Sequence, residues 1–452
     1  MAGRKSDTKI ESVYWAKTEP SGYSEIRKKS ADPLRSNGGR FRRLFAILGP
    51  GLITGAADDD PSSVGTYSVV GAQLGTSVLW TALITWPLIA VIQMVCARIG
   101  IVTGSGLARA LVQKFPRPLV AAACLGLLIA NTITVGADLS AMADAGEMLS
   151  GVNSHYYVVF FGVIIGLGTI FLRYRRIANI LKWFAFSLLM YMVTAFVIRP
   201  DWNLVLHETF LPTWPTGRAA WAGVVAILGA TISPYLFFWQ ASLELEEKHD
   251  LDPVLQTDWP ADNAKRLRER RLDIGFGTLF SNLAMYFIIF TTAMTLHRNG
   301  ITDINTTRDA AAALKPLVGP LAMLFFTIGI VGVGLVAIPT LITSSAYALA
   351  ETFNWEHGLH RRFHAARPFY SVIILSSLVG ILLDFTDTSP MMALYWAAVI
   401  SGLIAPFLLL GILFVASDCR IMRLQPSPLR MRLLVGVAAL AMFGAAIGMF
   451  IH

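Results

Sequence analysis

The run GPGLITGAADDDPSSVGTYSVVGAQLG, Gly49 to Gly75, decides how the rest of the chain is read. It opens as an apolar, helix-like segment and then meets three consecutive carboxylates, Asp58, Asp59 and Asp60, with Pro61 directly after them. An apolar helical pattern resumes through Val64, Val69 and Val70. A carboxylate near the centre of a bilayer costs about 2.5–3.5 kcal/mol on insertion scales, so an acid retained there marks an ion path. Pro61 has no N–H and clashes with the turn before it, which predicts a break in the helix. Backbone freed at membrane depth is tolerated where it lines a cavity or binds something. A carboxylate beside freed carbonyl oxygens predicts a cation site.

Composition agrees with that setting. Of the 452 residues 55% are hydrophobic and 15% charged, and the mean hydropathy is +0.58. These values describe a polytopic membrane protein and exclude a soluble globule. Residues 1–43 form a polar, basic tail with no apolar core behind a short charged start, so no cleavable signal peptide is expected. Residues 44–452 form the transmembrane domain. Cys96, Cys124 and Cys419 are too far apart for a disulfide framework or a zinc pattern and are read as small core residues.

With about 20 apolar residues as the criterion for a span, eleven spans are expected, near 45–73, 77–100, 118–149, 155–172, 177–198, 219–241, 273–296, 317–350, 368–385, 390–416 and 432–451. If the N-terminus is cytoplasmic, the outer loops hold only Arg199, Arg218, Arg298, Arg308 and Lys315 of the 37 Lys and Arg residues. The remainder lie in the tail, the inner loops or the inner span ends, as the positive-inside rule requires. The C-terminus then lies outside. The net charge of +8 is a consequence of topology, and no nucleic-acid surface is implied. The lipid bilayer is the expected surrounding, and no obligate protein partner is indicated.

Span six, Ala222 to Glu247, is interrupted in the same way as span one, by Gly229-Ala230-Thr231-Ile232-Ser233 and then Pro234. Ala57 precedes Pro61 by the same interval as Ala230 precedes Pro234. Spans one and six thus begin two five-span halves of opposite orientation, the pattern of an inverted-repeat transporter whose site lies where two broken helices meet. Other polar positions within spans are Asp138, Asp144 and Glu147 in span three and Asn282 in span seven. Gly332, Gly334 and Pro339 in span eight predict close packing and a kink. A short external helix is expected over Arg308 to Leu317, and a solvated connector over 242–272.

These motifs resemble a known family. The run from Ala57 to Ser63 resembles the Asp-Pro-Gly-Asn motif of the Nramp family of divalent-metal transporters, and Gly229 to Tyr235 resembles that family's Ala-x-x-Met-Pro-His motif. The resemblance extends over all eleven spans. It implies an all-α membrane protein with a LeuT-type inverted repeat, spans 1–5 and 6–10, that works by alternating access, and a bacterial inner membrane is its expected location. It also implies a divalent cation as the transported species, with no cofactor. Asp60 then matches the metal-binding carboxylate, Ala230 the residue whose carbonyl binds metal, and Ala57 a second carbonyl donor. The chain departs from the pattern at several positions. Ser63 replaces the family's Asn ligand, Ser233 its Met ligand and Tyr235 its His. Asp138 matches a span-three acid, but Ala141 stands where proton-coupled members carry Glu, and their span-nine arginine pair has no counterpart. These departures resemble the divergent Nramp-related magnesium transporters.

Each position also has a plainer reading. Asp60 before Pro61 is a preferred helix N-cap, a role compatible with binding metal. Asp58 and Asp59 point about 100° apart on a helix; they face a water-filled vestibule or bond to neighbouring spans. Ser63 and Ser233 are packing residues or oxygen donors, and Asp138 is a hydrogen-bonded acid or an ion relay. Replacing a thioether by a hydroxyl removes the soft ligand, which favours Mg²⁺ and Mn²⁺. The reading is a Mg²⁺ or Mn²⁺ transporter, with Fe²⁺ as a further candidate, moving the ion into the cytoplasm with weak or absent proton coupling. The alternatives are a proton-coupled Mn²⁺/Fe²⁺ symporter and a same-fold symporter of an organic solute, whose carboxylate Asp60 would repel. An intramembrane protease is excluded: Gly136-Ala137-Asp138 lacks the first glycine of such a motif, and no second Tyr-Asp signature accompanies it. The chain is not read as an enzyme.

Overall fold

Helices long enough and apolar enough to cross a bilayer dominate the computed structural model, which describes residues 58–171, 189–198, 200–249, 260–359, 361, 363–386 and 389–451. In chain order the main helices are α1 (Pro61–Leu74), α2 (Trp80–Thr103), α3 (Leu107–Lys114), α4 (Arg117–Ser150), α5 (Ser154–Phe171), α6 (Leu189–Val197) and α7 (Trp202–Phe210). They continue as α8 (Arg218–Thr231), α9 (Pro234–His249), α10 (Pro260–Thr295), α11 (Ala322–Phe353), α12 (Arg367–Leu383), α13 (Pro390–Ser417) and α14 (Leu429–Ile451). No strand occurs among the described residues. Among the described residues, eight segments meet the length and hydropathy of a membrane span, and Arg367–Leu383 is a shorter apolar helix. The first half of span one and most of span five lie outside the described residues.

Burial sorts these helices. The whole apolar window of the α8–α9 segment is buried, against 22% of the corresponding window of α5. The broken span six is therefore at the centre of the bundle. Helices such as α5 and α14 turn Phe160, Leu167, Leu440 and Phe450 outward, as a lipid-facing surface requires. The centre is tight because small residues let backbones approach. A Cβ on Gly229 of α8 would strike the Ala398 carbonyl and the Gly402 backbone of α13, and one on Gly402 would lie 2.5 Å from the Val225 carbonyl oxygen. On the other side, Asn131 of α4 ties that helix to α11, donating to the Leu341 carbonyl at 3.2 Å and to Ser345 Oγ at 2.8 Å. α11 is a single helix that runs through Pro339.

Three expectations are corrected. The stretch 242–272 is not a solvated connector throughout: α9 runs on to His249 and α10 begins at Pro260. Glu244 is buried there, with Arg270 Nε at 2.6 Å from its Oε1 and Arg266 Nη2 at 3.8 Å from its Oε2. Apolar periodicity does not reveal such a pair, because the charges neutralise each other inside the bundle. Cys96 and Cys124 are buried as expected, but Cys419 is exposed. The external segment forms two short helices, Thr307–Ala311 and Lys315–Val318, joined by a 3₁₀ turn. Asp144 anchors the first of them by accepting from the Thr307 N–H at 3.0 Å. Glu147 similarly caps α5 through the Ser154 N–H at 2.7 Å. Helices α3 and α7 were not anticipated, being shorter than the span criterion detects.

Candidate cation site

Asp60 stands at the break in span one, as Pro61 dictates. It is the N-cap of α1, and its Oδ1 accepts from the Ser63 N–H at 2.6 Å. The cap leaves Oδ2 directed at span six, where the Tyr235 hydroxyl donates to it at 3.4 Å. Asp60 is 2% exposed, so the carboxylate is held away from bulk water within the bundle.

Span six breaks between Thr231 and Pro234. α8 ends at Thr231, its C-cap Ile232 leaves helical geometry (φ −103°, ψ 60°), and α9 starts at Pro234. The break frees the carbonyls of Gly229 and Ala230 from helical partners. Ser233 Oγ turns back to donate to them, at 2.7 Å from the Ala230 oxygen and 3.1 Å from the Gly229 oxygen. Ser63 Oγ reaches the same Ala230 oxygen at 3.4 Å and the Asp58 carbonyl at 3.1 Å. Two hydroxyls from two broken spans therefore meet on one carbonyl. Behind it, the Tyr67 and Thr231 hydroxyls lie 3.2 Å apart, and Thr231 donates to Met285 Sδ at 3.4 Å.

Of the residues expected at the site, Asp60, Ser63, Ala230, Ser233 and Tyr235 are brought together. Ala57 lies outside the described residues. Asp58 and Asp59 do not face a vestibule; both are buried and both approach Ser281 of α10, as the neighbouring-span alternative has it. Asp138, on α4, is 0% exposed, and among the described residues neither of its oxygens has a hydrogen-bond partner of good geometry. Asn282 packs rather than binds: its amide, in the orientation that satisfies both ends, donates to the Ala82 carbonyl at 2.7 Å and accepts from the Trp86 N–H at 3.2 Å. Ser281 was missed by sequence reasoning, since a single serine in an apolar span looks like a packing residue. Its signal was its place beside Asn282 in a doubly polar step of span seven.

The polarity of this centre suits a cation. Each serine spends its one hydrogen on a backbone carbonyl, which leaves hydroxyl lone pairs free to face outward. With the Asp60 carboxylate and the Ala230 carbonyl, the donors are all oxygen.

A polytopic bundle with two proline-broken helices meeting at buried oxygen atoms defines a membrane protein of the broken-helix class. The chain belongs to the Nramp family: the family model described as "Natural resistance-associated macrophage protein-like" matches residues 51–452. Among curated relatives, the chain is 26% identical over 445 residues to the divalent metal cation transporter MntH of Mesorhizobium japonicum, covering 94% of this chain and 90% of that protein. It is 25% identical over 296 residues to MntH of Yersinia pestis, covering 64% of this chain and 69% of the relative. The fold is similar to that of the Eremococcus coleocola manganese transporter, solved in complex with an aromatic bis-isothiourea compound, with a TM-score of 0.72, 16% identity, and coverage of 91% and 87% of the two chains. It is also similar to Mhp1, a nucleobase-cation-symport-1 family transporter, with a TM-score of 0.54, 15% identity, and coverage of 89% and 92%.

Proposed function

We propose that this chain is a divalent metal cation transporter that carries Mg²⁺ or Mn²⁺, with Fe²⁺ as a further candidate, into the cytoplasm by alternating access. Asp60, Ser63, Ala230 and Ser233 are the ligands in this reading, with Ala57 as a further carbonyl donor. The observation that carries it is the meeting of the Ser63 and Ser233 hydroxyls on the Ala230 carbonyl, beside the Asp60 carboxylate. A site with one negative charge, neutral oxygens and no sulfur ligand fits hard ions. Mg²⁺ keeps several of its waters, and small serine side chains leave room for them.

The names of its relatives, divalent metal cation transporters and a manganese transporter, support the same substrate class. A cytoplasmic N-terminus and a bacterial inner membrane complete the proposal. An inward-negative potential, worth about 2.3 kcal/mol per charge per 100 mV, draws a divalent ion inward without a coupled proton. The test is flux of Mg²⁺, Mn²⁺ and Ca²⁺ into proteoliposomes holding the full chain. Uptake of Mg²⁺ and Mn²⁺ that Asp60→Ala abolishes is the expected result; absence of flux for every divalent ion would overturn the reading.

A further inference from the structure

Asp58 and Asp59 lie outside the ligand set just described, and their surroundings are unusual. Ser281, in the middle of α10, places its hydroxyl oxygen 2.9 Å from Asp58 Oδ2 and 2.9 Å from Asp59 Oδ1. A serine hydroxyl has one hydrogen, so it donates to one of these oxygens and turns a lone pair towards the other. The two remaining oxygens, Asp58 Oδ1 and Asp59 Oδ2, are buried and accept no hydrogen bond among the described residues. Among the described residues, the charged groups acting on the pair are each other and Asp60, and none is basic. With both groups ionised, their four oxygens share a single hydrogen in a region closed to bulk water, where an uncompensated charge is strongly disfavoured.

We propose that Asp58, Asp59 and Ser281 form a second cation site, separate from the Asp60–Ala230 centre, and that it takes a hard divalent ion of the transported class. Two carboxylates match the charge of a divalent ion, and a donor set made wholly of oxygen selects hard ions over soft ones. In that state the Ser281 oxygen turns its lone pair to the ion and its hydrogen away. The three orphaned or repulsive contacts become ligands or neighbours of the cation, and water supplies the remaining coordination.

The two sites are mechanically joined. Ser63 Oγ donates both to the Asp58 carbonyl and to the Ala230 carbonyl, so one hydroxyl bridges the backbone of the second site to a ligand of the first. An ion at Asp58 and Asp59 repels one at Asp60, as neighbouring ions do in multi-site conduction. The second site therefore loosens the hold of the first and aids release.

This inference rests on the proposed function for the class of ion, and binding stoichiometry separates the two. Mn²⁺ bound by the purified full-length protein is counted by the electron paramagnetic resonance signal of the free ion. Wild type is expected to bind two ions per chain, Asp60→Asn one, and the near-isosteric Asp59→Asn and Ser281→Ala one each. One ion in wild type, lost in Asp60→Asn, overturns the second site and leaves the proposed function standing. No bound ion in wild type overturns both. The count is repeated with Na⁺ in place of choline as background cation. Retention of the second Mn²⁺ supports the assignment, whereas its selective loss in Na⁺ overturns the divalent class.

Discussion

The Ser63 hydroxyl donates to the Ala230 carbonyl across 3.4 Å, although 167 positions separate the two in sequence. That contact joins the two breaks of the bundle. A carbonyl freed by a helix break would be unsatisfied at membrane depth, and here hydroxyls from both broken spans cover it. They cover it weakly, because each hydroxyl divides its single hydrogen between two carbonyls. A divided bond is easily rearranged, which suits a site that must fill and empty.

Asp60 serves both as a cap and, in the proposed function, as a ligand, and the two roles come apart in mutants. Asn caps a helix about as well as Asp, so Asp60→Asn preserves the bond to the Ser63 N–H while removing the charge. The expected outcome is a folded, monodisperse protein with no metal flux. Asp60→Ala should lose flux and, in addition, about 0.5–2 kcal/mol of stability. Wild-type uptake by Asp60→Asn would show that the cap alone explains the residue.

Selectivity follows from Ser233. A thioether at this position would place a soft donor beside the Ala230 carbonyl, and soft donors reward late and heavy metals. Ser233→Met is expected to shift the preference from Mg²⁺ towards Mn²⁺ and Cd²⁺ in competition flux assays. If wild type already binds Cd²⁺ far better than Mn²⁺ and excludes Mg²⁺, the oxygen-only account fails. The Sδ of Met285, close to Thr231, is occupied by the Thr231 hydroxyl.

At the arginine-rich end of the bundle, Glu351 of α11 takes the place of a cap for α3. It accepts from the Ala108 N–H at 3.0 Å and the Arg109 N–H at 3.3 Å, and from Ser242 Oγ of α9 at 3.5 Å. Gly106 makes this possible, because a Cβ there would overlap the Glu351 carboxylate. Relief would require the carboxylate to leave the amides it satisfies. Gly106→Ala is expected to destabilise the protein by about 1–3 kcal/mol, the usual cost of overpacking, read as a lower midpoint of thermal unfolding in detergent. An unchanged midpoint would mean that the clasp yields freely.

Much of this architecture was legible because prolines and acids are conspicuous in apolar sequence. Asp58-Asp59-Asp60-Pro61 and the run to Pro234 located both breaks, and Asp60, Ser63, Ala230, Ser233 and Tyr235 do converge. Contacts across the bundle were not legible. Nothing in local pattern says that Ser281 reaches two carboxylates 223 and 222 positions away, or that Glu244 is buried against Arg270 rather than solvated. Such pairings are set by helix packing, which single-chain periodicity does not encode. Asp58 and Asp59 show the limit well: their chemistry was visible, but the direction each faces depended on α10.

The last prediction concerns protons. A proton route needs titratable groups suited to the working pH and linked from site to exit. Histidine is the side chain best placed for this, and Tyr235 stands in its place, with an unperturbed phenol titrating near pH 10. Ala141 removes a second relay group. α12 begins with Arg367 and then carries no basic residue through Leu383, so its buried portion offers no cationic step. Asp138 is the feature that favours the opposite reading, since it is wholly buried and lacks a good hydrogen-bond partner. The two readings are separated by a pH-sensitive dye trapped in proteoliposomes while metal enters. Weak or absent coupling predicts metal uptake with little internal acidification, in both wild type and Asp138→Asn. Acidification that tracks metal entry in wild type and collapses in Asp138→Asn would instead establish a proton-coupled symporter, with Asp138 as its relay.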